Sequence, residues 1–398
     1  MHRLSAPQRT REELRALING DLGTAAGRSD LVRLALRLIV EEALEGEVCA
    51  VEYSAPQVRD MPEPFVSNVR SALSGRTREL ERLAVELYAR GLSTRDIEDA
   101  FTDETGRRLL SRAAVSEVTE RLWAEYEDFS KRDLSEHAVV YLFVDGIAER
   151  LRPGQRREAV LAAWGIGEDG RKALLALMAG SREDVETVRA FFQNLRARGL
   201  GDPLLVVSDG APGIIRAIEE CFPRSARQRC LAHRMRNLAV KVPTDLWAEF
   251  KARVTAGYQA PSRAIARQLA AGVRADYADL LPSALACFED DFEACIAHLR
   301  LPVTHRRFIR TTNLLERLFV EERRRLKIIP NGFGEKPVLK LMFGALIRAA
   351  ERWRGLRFTE FELRQIAAVR KELDQEYEAS ITPLARSSQP RVSSKSAP

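Results

Sequence analysis

The sequence predicts an α/β protein in which a strand-bearing middle is flanked by helical regions. Three observations predict it. Two apolar runs, Val139–Val144 and Leu204–Ser208, each lead directly into an Asp-Gly pair, Asp145-Gly146 and Asp209-Gly210. Unbroken runs of this kind belong to strands buried on both faces. Two further strand-like segments, Arg157–Gly167 and Lys172–Met178, are joined by "GEDGR", a hairpin-type turn. Helical periodicity dominates before His137 and again from about Thr244.

In chain order, Thr10 to about Glu47 reads as helical, with Leu31, Leu34, Ala35, Leu38 and Ile39 at helical spacing. The segment "SAPQVRDMPEPF" (Ser54–Phe65) is rich in proline and reads as a linker. Leu80–Arg90 is a helix stopped by Gly91. Ser93 and Asp96 have capping-box spacing and open a second helix, and Ser111 caps a third, long helix to about Phe129. Helix, glycine turn, helix, loop and helix suggest a helix-turn-helix, the bland alternative being any small packing unit of three helices. The strands follow, with helices over Glu183–Arg198 and Gly213–Cys221, a short fifth strand over Ala226–Arg229, and a helix after His233. Thr244 to about Arg300 is almost wholly helical. Asn313–Lys327 and Val338–Trp353 are further helices, and the Ser/Pro/basic tail "LARSSQPRVSSKSAP" has the composition of a disordered segment.

Composition narrows the classes. A chain of 398 residues holds more than one core, and 63 Lys+Arg against 57 Asp+Glu gives a net charge of +6, which permits a polyanionic partner. The charge is uneven: Arg306–Lys327 packs eight basic residues against three acids. Five scattered cysteines fit a reducing cytosol better than a disulfide framework. No apolar run is long enough for a membrane helix, and the first residues lack the apolar core of a secretion signal. The expectation is a cytoplasmic protein with no membrane partner.

The two Asp-Gly pairs carry the chemistry. A single Asp-Gly is most simply a turn. Two of them, each closing a strand of one sheet, bring two carboxylates together where reactive groups gather in α/β sheets. Glycine after each acid is expected to let the backbone turn sharply there. The mutual repulsion is relieved by a divalent cation, and hard oxygen ligands select Mg²⁺ or Mn²⁺. A third acid is found on the helix "RTTNLLERLFVEERRRLK", where Glu316 sits at the edge of the stripe formed by Leu315, Leu318, Phe319 and Leu326. Glu321 and Glu322 lie among arginines and read as a solvated face.

The segments "VDG" (Val144–Gly146), "SDG" (Ser208–Gly210), "QRCLAHRMRNL" (Gln228–Leu238), "RTTNLLERLFVEERRRLK" (Arg310–Lys327) and "YARGLSTRDI" (Tyr88–Ile97) resemble, in this order, the mutator-type transposases of bacterial insertion sequences, members of the DDE superfamily. The resemblance implies a ribonuclease-H-like catalytic core, with an N-terminal helical DNA-binding region, interrupted by an all-helical insertion. It also accounts for the 107 residues between Asp209 and Glu316, where a βαβ unit needs only about 30. The implied organisation is a helical region (1–53), a linker (54–65), a helix-turn-helix-like region (66–135), the first part of the core (136–243), the insertion (244–305), the completion of the core with the Glu316 helix and C-terminal helices (306–383), and a tail (384–398).

The resemblance further implies that Asp145, Asp209 and Glu316 form the catalytic triad and hold two Mg²⁺ or Mn²⁺ ions. It implies double-stranded DNA partners, both terminal inverted repeats and target, and a homodimer or higher oligomer on DNA. Cys230 and His233 become core-side residues near the site, with Arg234 and Arg236 facing DNA. Arg310, Asn313 and Arg317 flank the acid, and Arg323 and Lys327 share its helix face roughly 10–17 Å further along at 1.5 Å per residue. Trp247 is a candidate for stacking on an unpaired base, with aromatic core as its plainer role. Cys295-x-x-His298 repeats the spacing of Cys230-x-x-His233, so a Cys₂His₂ zinc site is conceivable beside a simple packing role. Two other readings stand beside the transposase: a DNA-binding derivative that no longer cuts, and a stand-alone metal-dependent nuclease of the same fold.

Overall fold

The computed structural model describes residues 6–19, 34, 37–38, 78–89, 92–102, 110–149, 151, 157–180, 185–313, 319, 334–350 and 353–381. The linker, the tail, Gly91, Glu316, Arg317, Arg323 and Lys327 therefore lie outside the described residues. Two units are separable, one formed by residues 1–131, 150–157 and 318–349, the other by 132–149, 158–317 and 350–398.

The first unit is helical. After α1 (Ala6–Asn19) come α2 (Arg78–Ala89), α3 (Thr94–Ala100) and α4 (Arg112–Lys131). The capping box forms as the sequence predicts: the Ser93 hydroxyl accepts the Asp96 N–H, and Asp96 accepts the Ser93 N–H at 3.0 Å. Ser111 likewise accepts the Ala114 N–H at 3.2 Å at the head of α4. Leu87, Ile97, Phe101, Val115, Val118 and Leu122 make the core.

A helix from far downstream, α13 (Glu335–Ala350), completes this core. The sequence assigned that helix to the completion of the catalytic core, but its contacts lie here. Phe343 packs its ring on Tyr126 and Phe129, and Gly344 sits so close that an added Cβ would stand 2.8 Å from Leu122. Lys340, nearly buried, places its ammonium 3.0 Å from Glu120 and over the Tyr88 ring.

The second unit is built on a mixed sheet of order β3-β2-β1-β4-β5, with β1 (Val139–Glu149), β2 (Glu158–Gly167), β3 (Lys172–Ala179), β4 (Leu205–Ser208) and β5 (Ala226–Arg229). β1 and β2 pair antiparallel, as do β2 and β3, while β1, β4 and β5 run parallel. Side chains alternate across the sheet. Leu142, Val144 and Val206 face α5 (Val185–Ala197) and α6 (Pro212–Cys221), where Phe191, Phe192, Ile214 and Ile218 close that core. Phe143 lies on the other face, stacked on Trp164 at 3.9 Å, and Trp353 packs on Trp164 in turn. Tyr141 on this face meets Phe358 and His305.

One expectation is corrected. The sequence closes the first strand at Val144, yet β1 runs on through Asp145 and Gly146 to Glu149. The long β2 continues to pair with it, setting Asp145 opposite Ala162 and Gly146 opposite Leu161. Gly146 accordingly keeps ordinary negative φ and makes no turn; the sharp turn belongs to Gly210 alone, at φ +83°.

From Leu231 the chain is helical: α7 (Leu231–Ala239), α8 (Thr244–Tyr258), α9 (Arg263–Tyr277), α10 (Pro282–Glu289), the short α11 (Phe292–Cys295), a 3₁₀ turn (Ala297–Arg300) and α12 (Val303–Ile309). Phe250, Val254, Tyr258, Val273, Tyr277 and Phe288 form a second core among them. Gln228, fully buried on β5, ties this region to the sheet: its amide donates to Cys295 O at 3.1 Å and accepts the His298 N–H at 2.8 Å. The last helix, α14 (Glu360–Ile381), begins with a Thr359/Glu362 capping box.

Candidate active site

The sheet register brings the two acids together. β1 and β4 pair Phe143 with Val207, so two residues on Asp145 stands beside Asp209. β4 and β5 pair Ser208 with Arg229, so the next residue, Cys230, stands beside Asp209, and its N–H donates to Ser208 O at 2.6 Å. Neighbouring strands lie about 4.8 Å apart. Asp145, Asp209 and Cys230 thus form one row that lies directly after the ends of β4 and β5 and within β1.

The row is held in place locally. Gly210, with its positive φ, turns the chain away directly after Asp209, and a Cβ there would meet the Arg229 side chain at 2.4–2.9 Å. Asp209 Oδ1 accepts the Ala211 N–H at 2.9 Å, an Asx turn leading into α6. Cys230 is the N-cap residue of α7, which puts His233 in the first helical turn beside the row.

Asp145 is 4% exposed, and its Oδ1 accepts the Gly146 N–H at 3.0 Å. Burial pushes its pKa up to about 6; the nearby Asp209 charge adds to the rise, while His233, the Thr312 hydroxyl and the Gly146 N–H oppose it. A carboxylate raised by burial and a like charge is stabilised by a bound cation, and a carboxylate donor set suits a hard divalent ion. The residues present fit Mg²⁺ or Mn²⁺ in that sense. Among the described residues no group of three or more His, Cys, Asp or Glu could hold a metal; the expected third acid, Glu316, lies outside them.

The other predicted residues divide. Cys230 is buried in the row, its sulfur in contact with His233 and Thr312. The Cys₂His₂ zinc arrangement does not form: His298 turns its ring to Gln228, with Nδ1 3.0 Å from the amide oxygen. Arg236 is exposed, Arg310 half-buried and Asn313 exposed. Trp247 is half-buried against the helical core.

Arg234 is a correction, for it faces protein and not solvent. It is 1% exposed and donates from Nη1 to Cys287 O at 2.5 Å and from Nη2 to Asp290 O and the Asp290 carboxylate. These carbonyls end α10 and have no partner within the helix. Three residues after Leu231 and four before Leu238, Arg234 lies with them on the buried side of α7. Gln228 and Thr312 are structural members of the site that sequence reasoning passed over. Both lie within the segments quoted above, but neither residue type announces its role.

Residues 38–355 match the protein family described as "Transposase, Mutator family". The chain is 31% identical over 271 residues to the transposase for insertion sequence element IS6120 of Mycolicibacterium smegmatis, covering 68% of this chain and 84% of that protein. It is 30% identical over 348 residues to the transposase for insertion sequence element ISRM5 of Rhizobium meliloti, covering 86% of each. It is 29% identical over 317 residues to the transposase for insertion sequence element IS256 in transposon Tn4001 of Staphylococcus aureus, covering 79% of this chain and 80% of that protein.

Proposed function

Because the chain belongs to the mutator family of transposases, we propose that it is a DDE-type enzyme that binds the terminal inverted repeats of an insertion sequence, cleaves the DNA at its ends and joins them to a target. The observation that carries this reading is the register that sets Asp145, buried within β1, beside Asp209 at the end of the adjacent parallel strand β4. The sheet with α5 and α6 on one face supports a ribonuclease-H-like core, and the helices over 244–300 support an all-helical insertion within it.

Two divalent ions, Mg²⁺ or Mn²⁺, would supply Lewis-acid stabilisation of the attacking and leaving oxygens in an in-line displacement. Asp145, central in the sheet, would hold them together with Asp209 and Glu316. Water is the nucleophile for nicking and a DNA 3′-hydroxyl for strand transfer, so no protein nucleophile is needed. Arg236, Arg310 and Asn313, with Arg317, Arg323 and Lys327, neutralise phosphates around the scissile bond. Trp247, half-buried, is the candidate for stacking on an unpaired base.

In the helical unit, α4 exposes Arg112 in its first turn, whereas acids are exposed from its second turn on, at Glu117, Glu120, Glu125, Glu127 and Asp128. Those acids repel phosphate, so recognition runs through the first turn of α4. The enzyme works in the cytoplasm as a homodimer or larger assembly on DNA. No helix among the described residues is long and apolar enough to cross a membrane.

The test is cleavage of duplexes carrying the element ends by Asp145→Asn and Glu316→Gln, which remove charge and keep shape. Each should lose cleavage by at least about a hundredfold while still binding DNA. Near wild-type cutting in Mg²⁺ by either variant refutes the triad.

A further inference from the structure

The face of the sheet that carries the two acids is overlaid by two segments, α12 and residues 353–358. Tyr141, Phe143 and Asp145 share that face, so Asp145 stands about 13 Å beyond Tyr141 at about 3.3 Å per residue. α12 sits over Tyr141, whose hydroxyl lies 2.8 Å from His305 Nδ1. Five residues on, Arg310 O accepts the Leu231 N–H at 2.9 Å. Leu231 follows Cys230, so α12 leads from Tyr141 to the acid row. The second segment is seated by its rings and main chain. Trp353 packs on Trp164 at 5.5 Å, Phe358 packs on His305 at 4.7 Å, and the Leu356 N–H donates to Gly170 O at 2.8 Å.

Between these half-buried anchors, Arg354 and Arg357 are exposed. On α12, Arg307 is exposed and Arg310, half-buried, follows one turn later on the same side. Among the described residues, none of these four guanidinium groups has a hydrogen-bond or ion-pair partner; Arg307 lies over the Phe308 ring at 4.4 Å. Other arginines of this unit are neutralised: Arg189 by Glu220, Arg196 by Asp202, Arg224 by Asp374, and Arg300 by Glu372 and Glu376. The acids closest in the chain are already engaged. Glu360 reaches Arg364 at 3.6 Å, Asp169 reaches Arg171 at 3.6 Å, and Glu362 accepts from Thr304 and Thr359. Unneutralised charge thus stands over the acid-bearing face, on two segments that touch at Phe358 and His305.

We infer that Arg307, Arg354 and Arg357 continue from Arg310 as a track for the phosphodiester backbone of a DNA strand that leaves the acid pair along this face. This rests on the reading of Asp145 and Asp209 as the cutting site. A guanidinium without a protein carboxylate matches a phosphate in charge and in fork geometry. Contacts to the backbone carry no sequence information, so the track serves any sequence. It extends from the acid row toward Tyr141, so it takes the strand on one side of the scissile bond.

The experiment uses the full chain without metal and measures affinity, across a salt series, for a duplex that runs through an element end. Arg307→Gln, Arg354→Gln and Arg357→Gln are compared singly and together. Each should make the slope of log affinity against log salt shallower by about 0.9, and the three together by about 2–3. Lysine at the same three positions keeps the charge and should keep most of the slope. Arg216→Gln, exposed on α6 at the opposite face of the sheet, should leave it unchanged. Two shortened duplexes, each ending at the scissile phosphate from one side, locate the track: the triple variant should differ from wild type on one and match it on the other. If the triple variant melts below wild type, the single variants carry the same measurement. The inference is overturned if the glutamine variants keep the wild-type slope, if lysine loses as much as glutamine, or if Arg216→Gln has the same effect. It is equally overturned if the difference is not confined to one of the shortened duplexes. Cleavage by Asp145→Asn tests the site separately: wild-type cutting by that variant, with the arginine variants still flattening the slope, would sink the reading of the site and leave the phosphate track standing.

Discussion

Replacing Arg234 by methionine separates two incompatible roles for this residue. Its sequence neighbourhood suggests a DNA contact, whereas the fold makes it the cap of α10. The buried guanidinium serves Cys287 O and Asp290 O, two carbonyls at a helix end, and reaches the Asp290 carboxylate at 3.2 Å. Methionine fills similar space and leaves both carbonyls without a donor. Each buried acceptor left unmade costs about 1–3 kcal/mol. The Asp290 side chain is 62% exposed and keeps Arg229 at 2.7 Å, so its loss adds little. The expected cost is about 3 kcal/mol after some compensation from the apolar replacement. For a unit of this size that lowers the melting temperature by roughly 6–12 °C. Thermal unfolding and duplex binding across a salt series measure the two roles together. The capping role predicts a lower melting temperature with an unchanged salt slope for the folded fraction. An unchanged melting temperature with a salt slope shallower by about one phosphate contact would refute it and return Arg234 to the DNA face.

Two further outcomes follow from the same geometry. Gly210→Ala forces a Cβ into the Arg229 side chain at a φ of +83°; it should cost about 1–3 kcal/mol and displace Asp209, lowering both melting temperature and cleavage, and wild-type values for both would show that the turn is not rigid. Glu362→Gln tests the seating of α14. Hydrogen bonds from the Thr304 hydroxyl and from Thr359, aided by the nearby His305, hold the Glu362 pKa down to about 2 from an ordinary 4.5. Because the folded value is depressed, the stabilisation is complete above about 4.5 and is lost as pH falls toward 2. The variant should therefore melt below wild type at pH 7 and converge with it in acid; a gap that stays constant down to pH 3 would contradict this.

What was legible in the sequence was what local chemistry decides. The Ser93/Asp96 capping box, the short strand Ala226–Arg229 and the turn at Gly210 all form because their own residues require them. What was illegible depends on partners distant in the chain. The length of β1 past Asp145 is set by β2, and the place of α13 by Leu122 and Ala89, which its Gly344 admits at close range. Arg234 misled because an arginine between a histidine and another arginine reads as a cationic surface, when the carbonyls it serves lie more than fifty residues ahead.

The candidate site combines both kinds of information. Each Asp-Gly pair is visible alone, but their meeting is a property of strand order: with β4 seated between β1 and β5, the acids and Cys230 fall into one row without any side chain having to reach. β2 runs antiparallel to β1 and presents Ala162 beside Asp145, while the other carboxylates at that end, Glu149 and the buried Glu158, stand opposite each other four residues beyond Asp145. The chain that continues past Thr312, whose N–H donates to Cys230 Sγ at 3.3 Å, leads to Glu316, the third acid of the proposed triad.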